Sequence, residues 1–417
     1  MFRKNIRLGE HYAVAFVYWA IAAVIVGLVC GAVGALFAIS VHHATHLRGE
    51  YPWLLYLMPV GGIVIALMYR LFRLPVTIGT DAIIKSVRTQ EKVPILMAPA
   101  IFISTFITHL LGGSAGREGA ALQLGGSIAA KIGDLAHPHK PHDDDRRIYE
   151  LCGMAALFSA LFGTPLTAAI FVVEVVNLGE FNYRAMFPCL VSALTAALTA
   201  RLVGAPEELF PLAAGLADTG ALNLIKAAGL GVLCAMVAAL FCSVMHHSGC
   251  LLKKWIKNDL VRVILGGIAV IGLTFIVGSR DYNGGGGDVI LRALAGDARP
   301  EAFILKIIFT AVTLSSGFKG GEIVPSFFIG STFGCAAAAL IGLPPALGAG
   351  LGLVSVFCGV TNAPVASILL SIELFGAEYL PLMAVCLCVS YMLSGQISLY
   401  HQQHFAHPKL GAGYDGE

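Results

Sequence analysis

Glu118 and its neighbour Arg117 stand between Gly116 and Gly119, inside sequence that is otherwise apolar for about the length of a membrane span. An ionisable group at that depth costs roughly 2.5 to 3.5 kcal/mol even on the lenient insertion scale, so such groups line a cavity, pair with each other, or move a proton. Glu118 is therefore the first candidate for proton transfer, and the competing reading is a structural ion pair with Arg117. A second chemistry overlaps it. Gly112-Gly113-Ser114-Ala115-Gly116 matches the Gly-x-Ser-x-Gly elbow of serine hydrolases, with His109 nearby, which would make Ser114 the nucleophile of an intramembrane hydrolase. That elbow needs a strand-to-helix turn, and no strand pattern precedes it. His137, His139 and His142, with Asp143, Asp144 and Asp145, suggest a metal site, but the interleaved Pro138 and Pro141 and the neighbouring Lys140, Arg146 and Arg147 fit a solvated loop better. His42, His43 and His46 fall just beyond the first apolar span and read as interfacial. No phosphate-loop pattern occurs, and no metal, nucleotide or redox cofactor is expected.

These residues must be held by membrane helices. The chain of 417 residues is 57% hydrophobic and only 12% charged, with a mean hydropathy of +0.81; that leaves too little polar surface for a soluble protein of this size. A polytopic all-helical membrane protein follows. The stretch Tyr12 to Val41 lacks Asp, Glu, Lys and Arg and follows Arg3, Lys4 and Arg7, which reads as a retained first helix with a cytoplasmic N-terminus. Further apolar blocks lie at about Trp53 to Tyr69, Ile95 to Leu111, Leu151 to Val176, Ala185 to Leu202, Leu222 to Met245, Val261 to Val277, Phe303 to Leu314, Phe327 to Ile341, Leu347 to Leu374 and Leu380 to Leu393. Several are too short to span alone, and 48 glycines interrupt them, as in broken helices whose ends meet inside the protein. The cysteines lie mostly in apolar segments without metal-type spacing and read as small buried residues of a reduced protein. The net charge of +2 and the lack of a long basic run give no sign of nucleic acid as a partner.

The chain repeats itself. Gly79-Thr80-Asp81-Ala82-Ile83-Ile84 recurs as Gly286-Gly287-Asp288-Val289-Ile290-Leu291. Pro165 stands nine residues before Glu174, and Pro364 nine residues before Glu373. Gly116-Arg117-Glu118-Gly119 is answered by Gly320-Gly321-Glu322-Ile323-Val324-Pro325. Two halves, about Ile21 to Leu202 and Leu222 to Leu393, read as copies within one transmembrane domain spanning 1–417, and the tail after Tyr400 is too short for a cytosolic regulatory domain. Glu174, having a copy in Glu373, reads as a structural group that caps or bridges helices. Repeated halves with interrupted helices put a binding site near the bilayer midplane. Helix N-termini there favour an anion, because each offers unpaired N–H groups and partial positive charge, and glycines permit close approach.

At this point the residues resemble the CLC chloride channels and proton-coupled anion transporters. The resemblance rests on Gly116 to Gly119, on Gly320 to Pro325, on the Pro-to-Glu repeats and on Ser398-Leu399-Tyr400. It implies a homodimer in the plasma (inner) membrane with both termini cytoplasmic. Each subunit would have its own pore between two inverted halves of tilted, broken helices. It further implies that Glu118 is the gating and proton-transfer residue, and that Thr80, Gly116, Arg117, Gly119, Ala120, Gly321, Glu322, Ile323, Val324 and Tyr400 form the anion site. The chain departs from chloride-type members in having Thr80 for the serine of the first helix start, Ala120 for proline, Ile323 for phenylalanine, and Val175 at the inner proton-transfer glutamate. Those departures are similar to the fluoride-exporting branch, and the last also to passive channels. Exchange of fluoride or chloride for protons is thus the expectation, with a passive anion channel as the alternative. Glu322 is expected to turn away from the anion or to pair with Lys319.

Overall fold

The computed structural model describes residues 2–76, 79–89, 91–136, 143–206 and 210–409, without the side chains of 2–11, 143 and 144. The solvated loop expected at His137, His139 and His142 lies outside the described residues. Among those described, α1 (Phe2–Glu50) leads through a short 3-10 segment (Pro52–Leu57) into α2 (Met58–Leu71), α3 (Thr80–Thr89), α4 (Met97–Leu111), α5 (Glu118–Ala136), α6 (Asp143–Phe162), α7 (Pro165–Val176) and α8 (Tyr183–Val203). The chain continues as α9 (Ala221–Trp255), α10 (Asp259–Val277), α11 (Gly287–Leu294), α12 (Ala302–Ser315), α13 (Ile323–Ile341), α14 (Pro345–Thr361), α15 (Pro364–Phe375) and α16 (Leu380–Leu393). Among the described residues, six helical segments, Tyr12–Glu50, Pro52–Leu71, Tyr183–Val203, Ala221–Trp255, Asp259–Val277 and Ile323–Ile341, are long and apolar enough to cross a membrane. Side chains such as Ile21, Leu28, Leu198, Leu202, Met236 and Ile276 on these helices are exposed, as lipid contact requires.

Two expected blocks are each two helices. The run Leu151 to Val176 is broken between α6 and α7, and Leu347 to Leu374 between α14 and α15. The cause is the same at both breaks. Proline forces the preceding residue out of the helical region and supplies no N–H, so it ends one helix and starts the next. Thr164 (φ −113, ψ 75) and Ala363 (φ −117, ψ 73) adopt nearly the same non-helical geometry before Pro165 and Pro364. Helix α5 was not among the expected apolar blocks, because its glycines, alanines, Gln123 and Ser127 keep its hydropathy low. It is nevertheless among the most buried helices, packed backbone to backbone: a Cβ on Gly125 would strike the carbonyl oxygen of Gly153, as one on Gly330 would strike that of Gly352.

The breaks are closed by exchange across the molecule. Glu174 at the end of α7 accepts the N–H groups of Val365 (3.0 Å) and Ala366 (2.8 Å) at the start of α15. Glu373 at the end of α15 accepts those of Leu166 (2.9 Å) and Thr167 (2.8 Å) at the start of α7, and the Thr167 hydroxyl at 2.5 Å. Each carboxylate thus satisfies first-turn donors that a helix cannot satisfy itself, which is the capping and bridging role expected of Glu174. After α16 the chain carries Tyr400 inward and returns along the fold. Gln402 N donates to Asp81 (3.2 Å), and His404–Phe405 pairs in parallel with Asn177–Leu178.

Glu373→Ala removes the acceptor from two backbone donors and one hydroxyl, and is expected to lower the stability of the detergent-solubilised protein by about 2 kcal/mol. Thermal unfolding checks this, with Glu373→Gln, which keeps one acceptor oxygen, falling between the two.

Candidate functional site

The centre of the molecule is a pair of glycine loops. Gly116 N donates to Gly321 O at 2.7 Å and Gly321 N to Gly116 O at 2.7 Å, an antiparallel bridge between the loops that open α5 and α13. Side chains from the preceding helices hold both loops in a reciprocal way. Ser114 N donates to the Thr313 hydroxyl of α12 (3.1 Å), and Lys319 N to the Thr108 hydroxyl of α4 (3.3 Å). Only glycine fits here. A Cβ on Gly321 would fall on Gly119 N, and one on Gly119 would lie 2.9 Å from both Gly321 Cα and the Thr80 hydroxyl.

Two helix N-termini converge at this bridge. α5 begins at Glu118 and α13 at Ile323, so the first-turn N–H groups of Gly119 and Ala120 and of Ile323 and Val324 have no partner within their own helices. Glu118 is fully buried, and its Oε2 accepts Arg117 N at 2.9 Å. The carboxylate folds back onto its own helix start, where an external anion would be drawn by the same donors and dipole. Arg117 Nε lies 3.9 Å from Glu118 Oε1, and Arg117 Nη2 also donates to Leu161 O (3.4 Å).

Two cavities approach the bridge and share no lining residue among the described residues. One, of about 530 Å³, is lined by Gly116, Arg117, Glu118 and Val324 and rimmed by Arg48, Arg280 and Asp288. The other, of about 200 Å³, is lined by Thr80, Asp81, Gln123, Lys319, Glu322 and Tyr400. Gly119, Ala120, Gly321 and Ile323 line neither and are buried. The Thr80 hydroxyl is 3.4 Å from Gly119 O, and Gln123 Nε2 donates to Thr80 Oγ1 (3.3 Å) and Gly119 O (3.2 Å). Tyr400 Oη is enclosed and has no hydrogen-bond partner among the described residues. Its proton is thus available to a ligand in the second cavity.

Glu322 departs from the expectation that it would turn away or pair with Lys319. Its Oε2 is enclosed, without a partner among the described residues, and close enough that a Cβ on Gly119 would lie 3.3 Å from it. Lys319 instead donates to Val76 O at 2.5 Å and lies over the Tyr69 ring at 4.8 Å. The backbone explains this. Glu322 has φ −97 and ψ −10 at the N-cap of α13, while the bridge fixes the preceding glycine, and its side chain lines the second cavity beside Thr80 and Tyr400. The hydrolase reading fails on geometry: Ser114 Oγ bonds the Thr310 hydroxyl (3.0 Å), His109 Nδ1 bonds Thr105 O of its own helix (2.9 Å), and no strand leads into Ser114. Gln123 was missed from the sequence, and its signal was a lone amide among the glycines and alanines of α5.

Residues 60–395 match the profile of the family described as voltage gated chloride channel. A chloride/fluoride channel protein of Pseudomonas syringae pv. tomato is 35% identical over 94% of this chain and 87% of its own length. An H(+)/Cl(-) exchange transporter ClcA of Vibrio campbellii is 27% identical over 90% and 86%. Among solved structures, a CLC-type fluoride/proton antiporter superposes with a TM-score of 0.89 at 30% identity, covering 94% of this chain and 98% of that one. A slow cyanobacterial Cl-/H+ antiporter has a TM-score of 0.76 at 22% identity, over 90% and 94%, a likeness of fold.

Gly321→Ala forces the two loops apart and is expected to weaken halide binding about tenfold or more, equivalent to about 1.4 kcal/mol. Titration calorimetry with fluoride and chloride checks it; unchanged affinity would remove the bridge from the site.

Proposed function

The chain belongs to the voltage gated chloride channel (CLC) family, a family of membrane transport proteins and not of enzymes, and from that premise we propose that it exchanges a halide for protons across a membrane. The observation that carries the proposal is the pair of carboxylates at the glycine bridge, Glu118 lining one cavity and Glu322 the other. Ionised Glu118 occupies the donors at the start of α5 and competes with the anion for them. Protonation removes the competition, because a neutral carboxyl no longer gains from the dipole or from charge-assisted bonds. The freed side chain swings into the first cavity, which we take as the outer one, carries its proton there and admits the anion. Each turnover then moves the anion one way and protons the other.

On the second, inner side, the Tyr400 and Thr80 hydroxyls donate to the ion, with the backbone N–H groups of Gly119, Ala120, Ile323 and Val324 replacing its hydration shell and Arg117 adding positive charge. Glu322 takes the inner proton position. This answers the loss of a carboxylate at Val175, a fully buried apolar residue, and it is the feature that favours exchange over a passive channel. Fluoride is favoured over chloride as substrate. The relatives at 35% and 30% identity carry fluoride in their names, and a small, strongly hydrated ion needs the dense donors that two closely paired helix starts supply. We further read the halves 21–202 and 222–393 as inverted repeats, the protein as a homodimer with one pore per subunit, and its location as the plasma (inner) membrane with cytoplasmic termini, the last from the basic residues before the first span.

Reconstitution into liposomes with fluoride, chloride and proton fluxes recorded together tests the scheme. Uphill proton movement driven by a halide gradient is expected. Anion flux without protons would make the protein a channel with Glu118 as gate. Glu118→Gln fixes the protonated form: proton movement is lost, and the rise of anion flux on acidification, expected of the native protein as Glu118 takes up its proton, disappears. Glu322→Gln is expected to slow proton movement by at least about a hundredfold, the lower end of what a positioned proton-transfer group contributes. Tyr400→Ala is expected to weaken halide binding by about 1 kcal/mol, the worth of one hydrogen bond, with looser coupling in the same assay.

A further inference from the structure

The second cavity holds two histidines that this scheme leaves unused. His246 on α9 and His401, which directly follows Tyr400, stack face to face with ring centroids 3.7 Å apart and planes 25° apart. Both line the cavity that Asp81, Glu322 and Tyr400 also line. His401 is exposed, His246, Asp81 and Glu322 are half-buried, and Glu322 Oε2 is enclosed, so His401 is the water-facing member of the series. His246 Nε2 is itself buried and has no hydrogen-bond partner among the described residues. The backbone couples the series, since Gln402 N, next to His401, donates to Asp81 Oδ1 at 3.2 Å.

Imidazole is the side chain whose ordinary titration falls near neutrality. Two rings this close repel when both are charged. The titratable and charged groups around the stack set its balance: Asp81 of α3, His247 and Lys253 of α9, Arg262 of α10, and Lys319 and Glu322 of the second glycine loop. Three cations against two carboxylates keep a proton from resting there, while the carboxylates give it somewhere to go. We propose that the His246–His401 stack is the proton port of the second cavity. His401 takes a proton from water, the stack holds it on one ring nitrogen, and it passes to a carboxylate oxygen of Glu322, which leaves both imidazoles neutral. The reverse sequence releases a proton from Glu322 to the same water. The port rests on the exchange reading and on Glu322 as the inner proton position.

Halide-driven proton flux of the full chain in liposomes tests it, with equal pH on both sides, stepped between pH 5 and 8. Wild type is compared with His401→Phe and with the double variant His246→Phe/His401→Phe, since phenylalanine keeps the stack and cannot hold a proton. The wild-type rate is expected to change little on the acid side and to bend near neutrality. In the variants the bend is lost, and the rate falls about tenfold for each pH unit, because the carboxylate is then loaded directly from a proton concentration that itself falls tenfold per unit. The curves meet at the acid end. A variant profile parallel to wild type, whether equal or uniformly slower, overturns the port, because packing damage lowers the rate alike at every pH. His401→Phe changes an exposed ring and carries the test if the double variant does not fold. A wild type that moves halide without protons overturns the exchange reading and the port together, whereas coupled wild-type flux with parallel variant profiles removes the port alone.

Discussion

Two backbone hydrogen bonds between Gly116 and Gly321 hold the rest of the site in place. They join the starts of α5 and α13 at van der Waals distance, which glycine permits and any Cβ would prevent. Once the loops are paired, both helix N-termini must point at one region, and their unsatisfied backbone donors favour negative charge there. The Thr108 and Thr313 hydroxyls, each on the helix that precedes one loop, accept a backbone N–H from the other loop. A displacement of α4 is therefore felt at the start of α13, and one of α12 at the start of α5.

The same exchange recurs at the broken helices, on a larger scale. Glu174 and Glu373 each close the helix start that follows the proline break in the other half. A carboxylate is suited to this because it accepts two N–H groups at once and meets the positive end of a helix. The arrangement accounts for buried Glu174 and half-buried Glu373 without invoking transport for either. It also separates them from Glu118 and Glu322, which line the two cavities at the glycine bridge.

Around the bridge the electrostatics are divided. The first cavity has Arg48, Arg117 and Arg280 beside Glu118, and the second has Lys253, Arg262 and Lys319 beside Asp81 and Glu322. Each cavity thus combines cations that attract an anion with a carboxylate able to hold a proton. Tyr400 is positioned for the second cavity by the chain that follows it, through Gln402 on Asp81 and Arg88, Gln403 on Thr361, and the short parallel pairing with Asn177–Leu178. A tyrosine far along the sequence from Thr80 and Glu322 is thus set in the same cavity by hydrogen bonds of the residues that follow it.

Much of this was legible in the residues. Hydropathy made the chain a membrane protein, the repeated Pro-to-Glu spacing pointed to two related halves, and the glycines around Glu118 and before Ile323 marked the candidate site, because only glycine lets backbone approach backbone so closely. The helix breaks at Pro165 and Pro364 were hidden by hydropathy, which continues across a turn that dihedral angles interrupt. α5 was hidden for the converse reason, since burial in a packed interior of glycine and alanine requires no strongly apolar side chains. What the sequence by itself determined was the set of groups and their local roles: helix starts, breaks, and acids too costly to bury without purpose. Only the tertiary structure decided which way each acid faces. Glu322 lines the cavity although a carboxylate near an anion looked unfavourable, and Glu174 is held by α15 rather than by solvent. Those outcomes depend on contacts between residues far apart in the chain, and local preference carries no record of them.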